Sequence, residues 1–260
     1  MSTPIRFNDG AAYERYMGKW SRLAGEVFLD WLAPAPGLRW LDVGCGSGAF
    51  TEMIVERCAP SAVQGIDPSE AQLEFARTRP IEHVAQFRQG DAMAQPFPDG
   101  TFDVAVMALV IFFVPEPAKG VAEMRRVVTP GGMVAAYAWD MESGGFPYDA
   151  LVGEIRALGA DVPRPPSPEA SRLDALRQLW ADAGLRDVVT REIAVSRTYA
   201  DFDDYWATIL GGASVGGALK SMTPNQLATL KARLQAHFRP EADGRIIGHA
   251  RANAVKGRIA

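Results

Sequence analysis

The segment Arg39–Phe50, RWLDVGCGSGAF, constrains this chain more than any other. An apolar run carrying one aspartate, Asp42, breaks into three alternating glycines, Gly44, Gly46 and Gly48, and a helical pattern starts directly behind them. Glycine suits backbone at positive φ and backbone that must approach another group closely. Strand, bare-backbone turn and helix, in that order, predict a ligand held at the helix start. GCGSGA satisfies G-x-G-x-G and also the looser dinucleotide fingerprint, so spacing alone leaves two ligands open. One is the pyrophosphate of a dinucleotide; the other is the amino-acid end of a sulfonium nucleoside. No GKS or GKT follows, which excludes a P-loop, since nothing supplies its phosphate-binding lysine.

Strand and helix patterns alternate from there on. RWLDVG reads as a strand, 47–58 as a helix, SAVQGID as a second strand and SEAQLEFARTR as a helix capped by Ser69. AQFRQGD and FDVAVMALV read as the third and fourth strands. PAKGVAEMRRVV is a helix stopped by TPGG, and MVAAYAWD is the fifth strand. This rhythm predicts a parallel sheet covered by helices. Ahead of it, residues 11–34 are helical by spacing, with Tyr13, Tyr16, Met17 and Trp20 among their apolar positions. PAPG ends that helix. After residue 140 come a loop, a mildly helical stretch, the proline-rich linker VPRPPSP and a helix ended by Gly184. RDVVTREIAVSRTY is a sixth strand. Two helices split by GGASVGG follow, the second opened by the capping pattern TPNQ, and the chain closes on a last strand. The divisions are thus a helical lid over 1–37, a ligand-binding core over 38–140, a cap insertion and helix over 141–184, and the last strands over 185–260 with a helical insertion at about 200–240.

With 260 residues and 48% hydrophobic composition the chain can bury a full core. Its formal charge of −4 and the absence of a basic block argue against nucleic acid as a partner. Cys45 and Cys58 have no metal-ligand spacing, and three histidines do not make a zinc site, so no metal is expected. No apolar run reaches membrane-spanning length, and the opening MSTPIRFNDG lacks signal-peptide character. The expectation is a cytoplasmic protein without membrane insertion.

Ligands of open parallel sheets bind at the carboxyl ends of the strands. Here those ends carry Asp42, the glycines, Asp67 about 20 residues on, Asp91, the stretch from Ala108 to Val110, and Asp140. Three carboxylates around one glycine turn, with no Lys or Arg in the turn, oppose a pyrophosphate. They suit an ammonium and a positive sulfur. Charge therefore favours S-adenosylmethionine.

The runs WLDVGCGSGAF, GIDPSEAQLEFAR, GDAMAQPFPDGTFDVAVMAL and EMRRVVTPGGMVAAYAWD resemble the class I S-adenosylmethionine-dependent methyltransferases, in particular the ubiquinone/menaquinone-biosynthesis-like (methyltransferase type 11) group. The detailed match covers roughly 38–140, and the segments before and after it are similar to relatives of the same group. The resemblance implies an α/β, Rossmann-like, mostly parallel seven-stranded sheet with helices on both faces and helical cap insertions. It implies S-adenosyl-L-methionine as cofactor, S-adenosyl-L-homocysteine as product and a small-molecule acceptor, with a homodimer left open. It implies that Gly44, Cys45, Gly46 and Gly48 approach the methionyl and ribose part, and that Asp42 binds the ammonium. Asp67, with Pro68, would hold the ribose hydroxyls; Asp91, Ala92 and Met93 would hold adenine; Ala108 and Leu109 would close the pocket near the sulfonium.

Many relatives carry a histidine after the fourth strand. This chain has VIFFV, with Phe112 and Phe113, which predicts an apolar acceptor site and no general base from that segment. Tyr16 and Trp20 are candidate lids over the cofactor, and Phe112, Phe113, Tyr148, Tyr205 and Trp206 candidate acceptor contacts; for the aromatic stripe, core packing is the alternative. Cys45 is expected as a small filler, since no His or Lys nearby would make it a thiolate. His83, at the entry of the third strand, is expected at the surface, and His249 is expected to be structural. Two other functions stay open: an NAD(P)-dependent oxidoreductase on the same turn, and a non-catalytic S-adenosylmethionine-binding protein.

Overall fold

The computed structural model describes residues 14–210 and 215–260. A π-helical turn, Glu14–Gly18, leads into α1, Lys19–Leu32. The central alternation then runs β1 Arg39–Val43, α2 Ala49–Cys58, β2 Ala62–Asp67, α3 Glu70–Ala76, β3 Ala85–Gln89 and β4 Phe102–Ala108. It continues through α4 Pro117–Val127 to β5 Val128–Trp139. Beyond it lie α5 Asp149–Ala157, α6 Leu173–Asp182, β6 Arg186–Tyr199, α7 Phe202–Leu210, α8 Gly216–Ser221, α9 Pro224–Ala236 and β7 Ile246–Arg258.

The seven strands form one sheet in the order β3-β2-β1-β4-β5-β7-β6. The first five are mutually parallel, while β7 runs antiparallel to both β5 and β6. From β1 the chain builds outward through β2 and β3, then returns to lay β4 and β5 on the other side of β1. Right-handed crossovers in opposite directions put the connecting helices on opposite faces. The strand order reverses between β1 and β4, so a crevice opens at their carboxyl ends. The central strands are buried along most of their length, as expected of strands covered on both sides.

Three elements depart from the sequence expectation. The TPGG stop lies inside β5: Phe102 pairs with Val128 and Val104 with Met133, so Thr129–Gly132 bulge out of a ladder that resumes behind them. Among the described residues, the segment after β6 holds three helices in place of two, because Gly216–Ser221 forms its own short helix. The third opens with the expected capping box, in which Thr223 Oγ1 accepts from Gln226 N and the Gln226 side chain accepts from Thr223 N. Ser69 precedes α3 without a side-chain cap, and the helix stops at Ala76.

Trp180 of α6 is fully buried, and its Nε1 donates to Val134 O at 2.9 Å, locking that helix onto the sheet. Lys256 of β7 donates to Trp31 O at 2.8 Å and sits over the Trp31 ring, which fastens the end of α1. No helix among the described residues is long and apolar enough to cross a membrane.

Candidate active site

The glycine turn is built by its backbone. Gly44, Gly46 and Gly48 have φ of 74°, 51° and 76°, left-handed values that glycine adopts at little cost. Gly44 N and Cys45 N both donate to Ile66 O, at 2.7 and 2.9 Å, tying the turn to the end of β2. A Cβ on Gly44 would stand 2.6 Å from the Val110 methyls, so the turn also closes tightly on the β4 exit. Gly46 N donates to Asp67 Oδ2 at 3.0 Å, and Ser69 N to Asp67 Oδ1 at 2.8 Å. Asp67 therefore clamps two loops while keeping a free lone pair on each oxygen.

Above the turn lies a cavity of about 1090 Å³. Asp42, Gly44, Cys45 and Gly46 line it, as do Asp67 and Pro68 from the β2 exit. Asp91, Ala92 and Met93 line it from the β3 exit, and Ala108 and Leu109 from the β4 exit. Gly48 stands behind this wall as the residue that starts α2. Four strand ends thus bring most of the expected cofactor-side residues to one space. Leu109 adopts φ of 61°, a strained value for a leucine. Asp91 is exposed, and its Oδ1 accepts from Met93 N at 2.8 Å.

Asp42 is fully buried and receives the Thr51 hydroxyl on Oδ2 at 2.6 Å, while its Oδ1 has no partner. Burial pushes its pKa up to about 7; the Thr51 bond pulls the other way, and the Asp67 charge adds to the rise. Burial also raises Asp67, against the lowering effect of its two backbone bonds. The Cys45 thiol is held well above its ordinary value by burial and by both carboxylates, so it stays a protonated filler. Asp140 is taken up by structure, accepting from Arg251 Nη2 at 2.6 Å and from Ser143 N at 3.0 Å. His83 precedes β3 and is exposed; His249 is exposed on β7, opposite Ser196.

The cavity also has cations that the motif left unseen. Lys19, Arg22, Arg79 and Arg164 line it. Arg79 pairs with Glu52 at 2.5 Å and donates to Ser47 O; Arg22 pairs with Glu26 and Glu56. Their signal is weak in sequence because they come from positions with no fixed spacing to the glycines.

The aromatic candidates sort differently from expectation. Tyr16 and Trp20 are each 1% exposed and belong to the core, where Tyr16 stacks on Tyr148 with centroids 4.1 Å apart. The Tyr148 hydroxyl is spent on Tyr16 O at 2.8 Å. Tyr205 packs edge-on against Tyr199, and Trp206 stacks on Phe202. None of these five lines the cavity; the face of the N-terminal helix that does carries Gly18, Lys19, Ser21 and Arg22. Tyr13 lies outside the described residues. Phe113 lines the cavity and Phe112 a smaller neighbour of about 380 Å³, which also receives Phe113.

Comparison with known proteins agrees with this arrangement. Residues 41–136 match the family described as a methyltransferase domain. The chain is 35% identical over 134 residues to the ubiquinone/menaquinone biosynthesis C-methyltransferase UbiE of Ruegeria sp., covering 50% of this chain and 52% of that protein. It spans about half or less of the length of the first curated relatives it matches. Among solved structures, the YcgJ protein of Bacillus subtilis superposes with a TM-score of 0.62 at 17% identity, over 92% of this chain and 98% of that one. Phosphoethanolamine N-methyltransferase 2 of Haemonchus contortus, solved with S-adenosyl-L-methionine, gives a TM-score of 0.59 at 18% identity, over 95% and 56%. At those identities the structures speak for the fold alone. The tract that carries the glycine turn and four strand ends matches a methyltransferase domain and is similar in sequence to ubiquinone/menaquinone-biosynthesis C-methyltransferases.

Proposed function

We propose that this chain transfers the methyl group of S-adenosylmethionine to a small, partly apolar molecule. The observation that carries it is the buried Asp42, whose Oδ1 is left without a partner under a bare-backbone turn. A buried carboxylate without a full set of partners is costly, and a ligand ammonium nearby offsets that cost. A pyrophosphate would raise it further. Asp67, with a lone pair left on each oxygen, suits a pair of ribose hydroxyls, and Asp91 with the Ala92 backbone suits an adenine edge.

Bound S-adenosylmethionine supplies an already activated methyl group, displaced from sulfur with the C–S electron pair leaving on the sulfur. The protein's task is then to aim the acceptor and exclude water. Orientation of this kind is worth roughly 7–11 kcal/mol. Among the described residues lining the cavity no histidine appears, and the carboxylates and Tyr137 are the groups there that could take a proton. We assign 38–140 to cofactor binding and 1–37 to a lid, on the strength of Gly18, Lys19, Ser21 and Arg22 at the cavity. The acceptor side falls to the 141–184 cap, which sends Arg164, Pro165 and Pro166 there, while no described residue of the 200–240 insertion lines the cavity.

S-adenosylhomocysteine at 100 times its Kd should stabilise the protein by about 2.7 kcal/mol, read as a rise of several degrees in Tm. NAD and NADP should leave Tm unchanged. Stabilisation by a nicotinamide and none by the adenosyl compound overturns the proposal. Methyl transfer to any member of a metabolite panel, followed with labelled methyl, removes the non-catalytic alternative.

A further inference from the structure

The smaller cavity of about 380 Å³ shares Leu109, Phe113, Arg164 and Pro165 with the larger one. Phe112, Trp139, Phe146 and Val162 give it an apolar wall. Arg156 on α5 and Arg164 on the proline-rich linker also line it. Arg156 is half-buried and anchored through Nη2 to Val162 O at 3.2 Å. Among the described residues neither arginine forms an ion pair. Burial and the like charge of Arg164 both lower the Arg156 pKa, while Asp149 and Asp161 act oppositely from beyond contact. Two arginines near each other, neither in an ion pair, at the edge of an aromatic cavity form a fork for a planar anion. Glu142 and Asp149 also line the cavity, exposed like Arg164, and offset part of the positive charge. Their presence favours one negative charge on the ligand over several.

Resting on the methyltransferase assignment above, we propose that this side cavity holds the acid end of the methyl acceptor. The acceptor is a ring-bearing monocarboxylate, gripped by Arg156 and Arg164, its reactive atom passing between Leu109 and Phe113 toward the cofactor cavity.

Matched pairs test this by titration calorimetry: 3-hydroxybenzoate against 3-hydroxybenzamide, and 3-(4-hydroxyphenyl)propanoate against its amide, each with and without saturating S-adenosylhomocysteine. At least one acid should bind about 10-fold or more tighter than its amide, the scale of one charge-assisted bidentate contact. Arg156→Gln should erase that preference and leave S-adenosylhomocysteine affinity unchanged; Arg156→Lys should keep part of it. Arg164→Gln, at an exposed position, should likewise weaken the acid preference without disturbing α5. Equal binding of acids and amides, binding of neither, or a preference that survives both glutamine substitutions overturns the proposal. A protein that ignores S-adenosylhomocysteine overturns the methyltransferase assignment instead. The acid preference measured without nucleoside then still decides what the cavity holds.

Discussion

Asp42 sets stability against binding within one side chain. Its folded-state pKa, pushed up to about 7 from an ordinary 3.8, means that the native protein holds the proton more tightly than the unfolded chain does. The cost of ionising it is absent below about pH 4, grows as pH rises between the two values, and is complete above about pH 7. Asp42→Asn keeps an oxygen for the Thr51 hydroxyl and carries no charge. It should therefore raise the Tm of the ligand-free protein at pH 8 and leave it unchanged at pH 4. A ligand ammonium favours the ionised carboxylate, so wild-type affinity for S-adenosylhomocysteine should climb from about pH 5.5 to 7.5 and then level. In Asp42→Asn affinity should be weaker throughout and flat with pH. A parallel slope in both proteins would remove Asp42 from the ammonium site. Asp67→Ala should weaken the same ligand by about 1.5–3 kcal/mol, the range for hydrogen bonds to a charged group; Asp91→Ala should cost less and His83→Ala nothing measurable. Calorimetric titration that finds all three alike refutes the pocket map.

At the scale of elements, the strands at the site pack closely enough to punish one added carbon. Gly65 of β2 lies between Asp42 and Phe87 in the sheet, and a Cβ there would stand 2.6 Å from Phe87 Cδ1 and 2.9 Å from Cys45 Sγ. Gly65→Ala should cost about 1–3 kcal/mol in urea denaturation and loosen S-adenosylhomocysteine through the displaced Cys45. Gly153, exposed inside α5 with open space around its Cβ position, is the opposite case. Gly153→Ala should gain about 0.5–1 kcal/mol by helix propensity. Elements governed by local rules were legible in advance: the strand–turn–helix at Asp42–Gly48, the capping box at Thr223, the exit of β4. The TPGG excursion was misplaced because its four residues do turn, and only the long-range pairing of Phe102 and Val104 shows the strand resuming beyond them. Tyr16 and Trp20 stood between lid and core for a related reason. An aromatic stripe marks the face of a helix that is buried, without showing whether core or ligand covers it. Here Tyr148 and the sheet cover it, and the small and charged residues on the adjoining face reach the cavity.

Over the whole molecule, the cavity joins walls of two origins. One comes from strand ends within residues 42–115, where motif spacing made the positions readable; the other comes from residues 18–22 and 164–166, which no motif marks. The second wall depends on long-range anchors. Ser167 donates from N to Phe112 O at 3.1 Å and from Oγ to Val114 O at 2.9 Å, pinning the linker beside the β4 exit. The N-terminal helix is pinned through the Tyr16 carbonyl to Tyr148 and through Trp31 to Lys256. A cofactor seated between these walls should slow opening of both, because local opening exposes surface that the ligand covers. Hydrogen exchange with saturating S-adenosylhomocysteine should therefore show slower exchange at the amides of 44–48, 67–69 and 91–93. It should also show slower exchange at 18–22 and at Ser167, with β6 and α7 unchanged. Protection confined to the strand-end amides would remove the lid role from the N-terminal helix and leave the linker a bystander. Protection extending to α7 would instead bring the 200–240 insertion into the site, against the placement of Tyr205 and Trp206 in packing contacts.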